Sequence, residues 1–253
     1  MIGSKKIVCI IPARLKSMRF PKKMLSMLLG KPLLQWVWES ASSVRAFDHV
    51  AFAIDSMETG RLIDSFGGTY YMTDENCASG TDRLCEIVKR GLITADVWVN
   101  WQGDEPFISE QMIMELLQSC EDSSDIWTLK KKIERQEEIH SPHFAKVVCD
   151  HQGYALYFSR SMIPFYRDPL PEENKVFYKH VGLYAYTTEA LRTLAQLKTC
   201  DIECAEQLEQ LRFLYHRLRL KVHETSHEVF GIDLPEHLTR ATLHLEQKLS
   251  LLS

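Results

Sequence analysis

Five basic side chains stand in a short segment that directly follows the first apolar run of the chain. The segment covers residues 12–23, and its cations are Arg14, Lys16, Arg19, Lys22 and Lys23. Arginine and lysine match the charge and the oxygen geometry of a polyphosphate, and a loop outside the carboxyl end of a parallel strand is where open α/β sheets bind ligands. The segment therefore predicts phosphate binding, with a solvated basic loop as the alternative.

The pattern of this segment excludes two common kinds of nucleotide site. It lacks the glycines and the terminal Lys-Ser/Thr pair of a P-loop, and it lacks the G-x-G-x-x-G pattern of dinucleotide enzymes. Neither a P-loop NTPase nor a dinucleotide enzyme is indicated.

A second polar segment, Asn100–Pro106, ends another apolar run and contains Gly103, Asp104 and Glu105. Magnesium prefers a few carboxylates together with phosphate oxygens. An acid that faces the basic segment from the same sheet edge would suit such a metal, and Asp104 is the candidate. The alternative is an ordinary Gly-Asp turn at the end of a strand.

Alternating strand and helix patterns must position both segments. The predicted strands are Lys6–Ile11 ending at Pro12, Val50–Ile54, Tyr70–Tyr71 and Val97–Trp101. The predicted helices are the one after Pro32 with Leu33, Leu34, Val37 and Ala41 on one face, then Glu58–Phe66 and Asp82–Arg90. This order predicts an α/β fold with a mostly parallel, doubly wound, Rossmann-like sheet.

The pattern changes after Ile126. Runs at 145–149 and 155–158 flank the turn His151-Gln152-Gly153 and predict an antiparallel hairpin, and the polar stretch 164–175 predicts a flexible loop over a site. The remaining predicted elements are strands at Val181–Tyr186 and Lys221–His223 and helices at Glu189–Leu197, Ala205–Leu214 and Pro235–Leu249.

Composition narrows the function classes further. The 253 residues, 45% hydrophobic, suit one enzyme-sized unit over 1–253. A net charge of -4 predicts no nucleic-acid partner, and the absence of an apolar run of export or spanning length predicts a cytoplasmic protein without membrane contact. Seven scattered cysteines without a C-x-x-C pair predict reduced thiols rather than a disulfide or zinc framework.

Seven short motifs occur in one order along nearly the whole chain. They are Ile10–Arg14 with Ser17, Arg19, Pro21 and Lys23; Ala78–Leu84; Asn100–Pro106; Gly153–Arg160; His180–Tyr184; Leu208–Arg212; and Gly231–Asp233. Together they resemble the signatures of the 3-deoxy-manno-octulosonate (Kdo) cytidylyltransferase (CMP-Kdo synthetase) family. The first and third motifs are similar to those of sialic acid cytidylyltransferases as well.

The resemblance implies roles for individual residues. For the nucleotide it implies Ala13, Arg14, Arg19, Lys23, Ser79, Arg83 and Gln102, of which Arg14, Arg19 and Lys23 bind phosphates. For the acidic sugar it implies Arg160, His180, Tyr184, Glu209 and Gln210. As Mg²⁺ ligands it implies Asp104 and Asp233, and as catalytic residues Arg14, Lys23 and Asp104. Taken singly, each has a plainer reading: Ser79 suits a turn, Tyr184 core packing, and Asp233 a helix N-cap.

The implied reaction joins CMP from CTP to the 2-hydroxyl of Kdo and releases pyrophosphate, for lipopolysaccharide synthesis. The implied architecture is of the nucleotide-diphospho-sugar transferase type, with a nucleotide half at about 1–125, an antiparallel sugar-binding and dimerisation part at about 126–225, and a closing segment at 226–253. The implied assembly is a homodimer. Activation of 8-amino-Kdo or sialic acid is the alternative, and a non-catalytic nucleotide-binding module is a further one.

Four positions depart from the family pattern. Met18, Lys22 and Met24 stand where threonine, glycine and proline are common, and Trp101 replaces an aliphatic residue. The resemblance therefore predicts a stiffer or differently shaped phosphate loop. None of the departures removes a charged group that is assigned to the chemistry.

Overall fold

The computed structural model of the chain describes residues 4–15, 20, 23–228, 231–232 and 234–250. The strands are β1 (Ile7–Ala13), β2 (Met27–Leu28), β3 (Lys31–Pro32), β4 (His49–Ile54), β5 (Tyr70–Met72), β6 (Val97–Asn100), β7 (Ile126–Lys132), β8 (Lys146–Cys149), β9 (Ala155–Ser159), β10 (Tyr178–Thr187) and β11 (Leu220–Glu224). The α-helices are α1 (Leu33–Ser42), α2 (Met57–Ser65), α3 (Gly80–Lys89), α4 (Glu110–Leu117), α5 (Gln136–His140), α6 (Thr188–Leu194), α7 (Asp201–Glu206), α8 (Gln210–Tyr215) and α9 (Pro235–Ser250).

One nine-stranded sheet organises the part of the chain that the structure describes. Its main order is β11-β7-β10-β6-β1-β4-β5, with β8 paired to β10 and β9 paired to β8. The four strands β5, β4, β1 and β6 run parallel, and β10 enters between β6 and β7 in the antiparallel direction. The predicted α/β fold with a mostly parallel central sheet is confirmed, and the antiparallel hairpin β8–β9 continues the same sheet.

Strand β1 is apolar throughout, with no alternation of polar and apolar residues, because both of its faces are buried. Ile7, Cys9 and Ile11 pack into one core cluster, while Val8 and Ile10 pack into the cluster on the other face. Helices that cover both faces of a parallel sheet impose this pattern. Helix α1 buries the four residues that the helical spacing predicted: Leu33, Leu34, Val37 and Ala41.

The structure corrects two predicted boundaries. Strand β1 passes Pro12 and ends at Ala13, with Pro12 opposite Ala53 of β4, although proline cannot donate to a ladder. The helix predicted over Ala205–Leu214 is wrong as one unit, because Gln207 adopts φ +53° and separates α7 from α8. This break puts Glu209 and Gln210 at the start of α8.

The second half of the chain holds one strand that the sequence reasoning missed and one hairpin that it found. Strand β7 starts at Ile126, where the sequence indicates only a change of pattern. The predicted hairpin is present as β8 and β9. In the predicted loop 164–175, the Tyr166 ring packs on Phe177 with centroids 5.5 Å apart. The Tyr166 hydroxyl also accepts from the Val176 N–H at 3.0 Å, so this part of the loop is anchored.

No helix among the described residues combines the length and apolar character that crossing a bilayer requires. The seven cysteines are free thiols.

A buried lysine holds the hairpin region together and gives a stability prediction. Lys146 is fully buried, and its Nζ donates to the carbonyls of Ser141 (2.8 Å), Phe144 (2.9 Å) and Arg160 (2.7 Å). Burial lowers the pKa of this amine. We expect Lys146→Met to cost about 2 to 3 kcal/mol of unfolding free energy, because it leaves carbonyls without a strong donor. Urea denaturation measures the loss.

The matched control is Lys130→Met on β7. Lys130 is partly exposed and its Nζ lies 4.1 Å from the Tyr178 ring centroid, so its loss should cost under about 1 kcal/mol. Equal costs for the two variants would contradict the role assigned to the three carbonyl bonds.

Candidate active site

The carboxyl ends of four parallel strands meet at one edge of the sheet and bring the two polar segments together. The Trp101 N–H donates to the Ile10 carbonyl at 3.1 Å, and the Gly103 N–H donates to the Pro12 carbonyl at 3.3 Å. A Cβ at Gly103 would lie 2.8 Å from the Pro12 oxygen, so only glycine allows this approach. The loop after β6 therefore lies directly against the end of β1.

An ion pair joins these two loops. The Lys23 ammonium donates to Asp104 Oδ2, with the two side chains 8% and 20% exposed. Lys23 begins a 3₁₀ turn and its N–H donates to the Phe20 carbonyl at 3.2 Å. The acid therefore faces a cation of the basic segment, as expected, while the binding of phosphate and metal by these two residues stays a prediction.

The closing segment returns to the same place. The Ile232 N–H donates to the Asp104 carbonyl at 2.9 Å, whereas the predicted second ligand, Asp233, lies outside the described residues. No group of three or more His, Cys, Asp or Glu side chains within the described ranges could hold a metal ion by itself. Mg²⁺ commonly takes one or two carboxylates and completes its shell with phosphate oxygens and water. The partly exposed Asp104 carboxylate beside the chain that leads into Asp233 fits that ion.

Trp101, the bulky departure from the family pattern, supports the Asp104 loop. Its side chain is fully buried, and its indole N–H donates to the Glu105 carbonyl at 2.9 Å. The indole therefore spans the turn that carries Asp104.

The other predicted nucleotide residues occupy different environments. Ala13 is buried at the end of β1 and Arg14 is exposed directly after it, while Arg19 lies outside the described residues. Gln102 donates to Asn100 Oδ1 at 3.1 Å. A Cβ at Gly80 would lie 3.0 Å from Pro12 Cγ and 3.2 Å from Gln102 Nε2, so the first turn of α3 lies against this edge.

Arg83 is placed differently from the exposed Arg14. Its side chain is 2% exposed, and NH2 donates to Asp55 Oδ2 at 2.8 Å. Its NH1 donates to Thr73 Oγ1 at 2.6 Å and to the Asp74 carbonyl at 3.2 Å. The guanidinium is thus surrounded by protein groups, and its contact with a nucleotide stays a prediction.

Ser79 links the nucleotide half to the sugar half. It is the N-cap of α3, where its Oγ accepts from the Asp82 N–H at 3.1 Å. The same hydroxyl donates to Glu209 Oε1 at 2.8 Å, and Thr81 donates to Glu209 Oε2 at 2.8 Å. Burial raises the pKa of Glu209, although these two hydrogen bonds act in the opposite direction. Ser79 is therefore a helix N-cap rather than a turn residue, and a predicted sugar residue is its partner. Its contact with a nucleotide stays a prediction.

Three of the predicted sugar residues form one cluster on β10 and α8. Strand β10 places Tyr184 opposite Asn100 of β6, so the amino-terminal half of β10, with His180, lies toward the carboxyl edge of the parallel strands. The His180 and Tyr184 rings lie 5.3 Å apart, and Gln210 Nε2 lies 3.5 Å from His180 Nδ1.

The contacts of His180 indicate its tautomer. Its Nε2 lies 2.9 Å from Thr128 Oγ1, and that hydroxyl can donate to the carbonyls of Val181 and Leu183 at 3.1 and 2.9 Å. The hydroxyl then accepts from Nε2–H, which leaves Nδ1 as an acceptor. Thr128 was missed from sequence, because nothing in a strand threonine marks it as a partner of a distant histidine.

Arg160, the predicted cation for the sugar carboxylate, contacts the backbone. Its guanidinium donates to the carbonyls of Glu206 (2.7 Å), Pro142 (2.8 Å) and Gln207 (3.1 Å). The bonds to Glu206 and Gln207 hold the turn between α7 and α8, and the bond to Pro142 connects this turn to the segment after α5. The side chain is partly exposed, and its role toward a sugar stays a prediction.

Burial of His180 predicts a pH effect on stability. Desolvation lowers the pKa of His180 from 6.5 to about 3. As the pH falls, the unfolded chain therefore binds a proton at this histidine before the folded chain does. The free energy of unfolding then decreases from about pH 6.5 toward pH 3, by up to ~1.4 kcal/mol per pH unit. We expect His180→Gln to flatten the dependence of the unfolding free energy on pH between 7 and 4.5 in urea titrations.

Two histidines control that comparison. His223, whose pKa is also lowered by burial, to about 4, is present in both proteins and cancels in the difference. The exposed His151→Gln should leave the slope unchanged. Identical slopes for His180→Gln and the parent would show that His180 is not held neutral.

Known proteins resemble this chain over most of its length. A family model described as cytidylyltransferase matches residues 8–221. The 3-deoxy-manno-octulosonate cytidylyltransferase of Thermodesulfovibrio yellowstonii is 41% identical over 241 residues, which cover 91% of this chain and 94% of that protein. The 8-amino-3,8-dideoxy-manno-octulosonate cytidylyltransferase of Shewanella pealeana is 39% identical over 236 residues, covering 92% and 95%.

A solved structure has the same architecture. The structure of CMP:2-keto-3-deoxy-manno-octonic acid synthetase complexed with CTP superposes with a TM-score of 0.90 at 37% identity, covering 96% of this chain and 99% of that one.

Proposed function

This chain belongs to the cytidylyltransferase family, and on that premise we propose that it transfers CMP from CTP to the anomeric 2-hydroxyl of Kdo. The products are CMP-Kdo and pyrophosphate. The observation that carries the proposal is the near-complete superposition on a synthetase complexed with CTP, with the Lys23–Asp104 pair at the strand ends.

The reaction is an in-line displacement at the α-phosphorus. The sugar 2-hydroxyl forms the new O–P bond, the bond to the β-phosphate oxygen breaks, the hydroxyl loses its proton, and pyrophosphate leaves. No covalent enzyme intermediate is needed, so the protein contributes positioning and neutralisation of charge. Arg14 and Lys23 supply positive charge at the end of β1, and Arg19 adds to it in the same segment.

Mg²⁺ is part of the proposal, with Asp104 and Asp233 as its protein ligands. When bound, it supplies charge neutralisation at the phosphates and a lower pKa for an oxygen nucleophile. Asp104 is held for this task by Lys23 on its carboxylate and by Ile232 on its carbonyl.

The cluster of His180, Tyr184 and Gln210 is proposed to bind the sugar. A neutral imidazole, a phenol and an amide suit the hydroxyl groups of a polyol. Because one relative is the 8-amino enzyme, 8-amino-Kdo is the second candidate substrate.

Pyrophosphate release from the purified protein with CTP and magnesium tests the function. Kdo, 8-amino-Kdo, sialic acid and no sugar are compared. Release that depends on Kdo supports the proposal, release with another sugar alone replaces the substrate, and no release with any of them contradicts an enzymatic function. Omission of magnesium, with excess chelator, tests the metal.

A cytoplasmic homodimer completes the proposal. The cytoplasm is where CTP is available, and the product suits lipopolysaccharide synthesis. Leu156 and Phe165 are 62% and 78% exposed in and after β9, and exposed apolar side chains of this size suit a subunit contact. Light scattering after size exclusion should give twice the mass of the chain, and a monomer would contradict the assembly.

A further inference from the structure

A buried ion pair contacts Leu15, two residues after the end of β1. Arg83 of α3 donates to Asp55, which follows β4, and the two side chains are 2% and 8% exposed. Removing two charges from water costs several kcal/mol, so such a pair is weak evidence for stability by itself. The hydrogen bonds that the two side chains make to the rest of the chain are a better guide to the role of the pair.

Asp55 and Arg83 each make hydrogen bonds to a different part of the sheet edge. The second Asp55 oxygen, Oδ1, accepts from the backbone N–H of Leu15 at 2.9 Å. On the other side, Arg83 NH1 donates to Thr73 Oγ1 and to the Asp74 carbonyl, just after β5. The pair thus connects helix α3 and the ends of β4 and β5 to the residue that follows Arg14.

We propose that Asp55 and Arg83 form a positioning pair that holds the backbone at Leu15, directly after Arg14, for CTP binding through the Leu15 N–H. This inference rests on the proposed function. Lys23 is paired with Asp104, and the Asp55 contact holds Leu15 beside Arg14. Arg83 acts through Asp55 on Leu15, and this role is separate from any contact with the nucleotide.

The two oxygens of Asp55 make a sharp test possible. The carboxylate serves the Leu15 N–H with Oδ1 and the Arg83 guanidinium with Oδ2. An asparagine at this position has one acceptor oxygen and one donor group. Asp55→Asn must therefore lose one of the two contacts while keeping the volume of the side chain.

The experiment measures CTP binding, kinetics and the exchange of one amide. For Asp55→Asn we expect about a 10-fold weaker CTP affinity by calorimetry and a similar rise in KM for CTP, as loss of a charge-assisted hydrogen bond implies. KM for the sugar should stay within about twofold. Hydrogen exchange at the Leu15 amide, followed by NMR, should accelerate at least 10-fold. Arg83→Lys, which cannot reproduce the guanidinium fork, should change both readouts in the same direction.

The control is a second buried ion pair, Lys179–Glu138, whose side chains are 9% and 3% exposed. Glu138→Gln should lower stability without changing CTP affinity or exchange at Leu15. Unchanged CTP affinity and unchanged Leu15 exchange in folded Asp55→Asn or Arg83→Lys would overturn the proposal. CTP calorimetry and amide exchange need no turnover, so a wild-type protein that releases no pyrophosphate refutes the proposed function without deciding this one.

Discussion

Asp104→Asn is expected to lower kcat for pyrophosphate release on the order of 10³-fold, because the substitution removes the negative charge that pairs with Lys23 and that is proposed to hold Mg²⁺. Asparagine has nearly the same volume, so the loop after β6 should keep its hydrogen bonds from Gly103 to Pro12 and from Ile232 to Asp104. The loss should fall on kcat more than on KM for CTP, since the charge is needed most where phosphate charge develops. Pyrophosphate release at saturating CTP and magnesium measures it.

An exposed acid provides the control for Asp104. Glu39 pairs with Lys31 on the surface at 2.8 Å, with about two fifths of each side chain exposed. Glu39→Gln should leave kcat unchanged, because surface pairs contribute little. A folded Asp104→Asn enzyme with kcat within about threefold of the parent would refute the assignment of Asp104 to the chemistry.

Lys23→Met is expected to lower kcat/KM for CTP on the order of 10²-fold. Its side chain is 8% exposed and its ammonium donates to Asp104, so the charge acts in a poorly hydrated place where its interactions are stronger than in water. Methionine keeps much of the aliphatic stem and removes the charge. Steady-state kinetics with varied CTP at saturating sugar measure the loss.

The Asp104 and Lys23 variants should not be additive. Each single change disrupts the same ion pair, so the double variant should lose much less than the product of the two single losses. Lys31→Met is the matched surface control and should have no effect. Additive losses would show that Lys23 and Asp104 act independently. That result would contradict the coupling inferred from their ion pair.

Side-chain hydrogen bonds connect the proposed nucleotide site directly to the proposed sugar site. Glu209 accepts hydrogen bonds from both Ser79 and Thr81 at the start of α3, and Gln210 beside it reaches His180. This arrangement depends on Gln207, whose left-handed backbone ends α7 and places Glu209 and Gln210 at the start of α8. In one helix through 205–214 the two residues would lie in the middle of a regular helix instead.

The sequence alone determined most of the alternation of strands and helices in the first half, without β2, β3 and α4, and the residues that stand at the strand ends. Apolar periodicity is a local property, so α1, β4 and the β8–β9 hairpin were predicted close to their observed bounds. Strand β7 was missed because its continuation Leu129–Lys132 contains three lysines, which a buried-strand pattern does not predict.

The tertiary structure alone decided which of these residues are partners. Lys23 and Asp104 are 81 positions apart, and Ser79 and Glu209 are 130 apart; spacing along the chain carries no information on such pairs. Asp55 reads in the sequence as an acid before a helix, and only the neighbouring positions of β1, β4 and β5 place it between Leu15 and Arg83. The chemistry of each side chain is set by its residue type, but its partner is set by strand order, because parallel pairing brings the ends of distant strands to one edge.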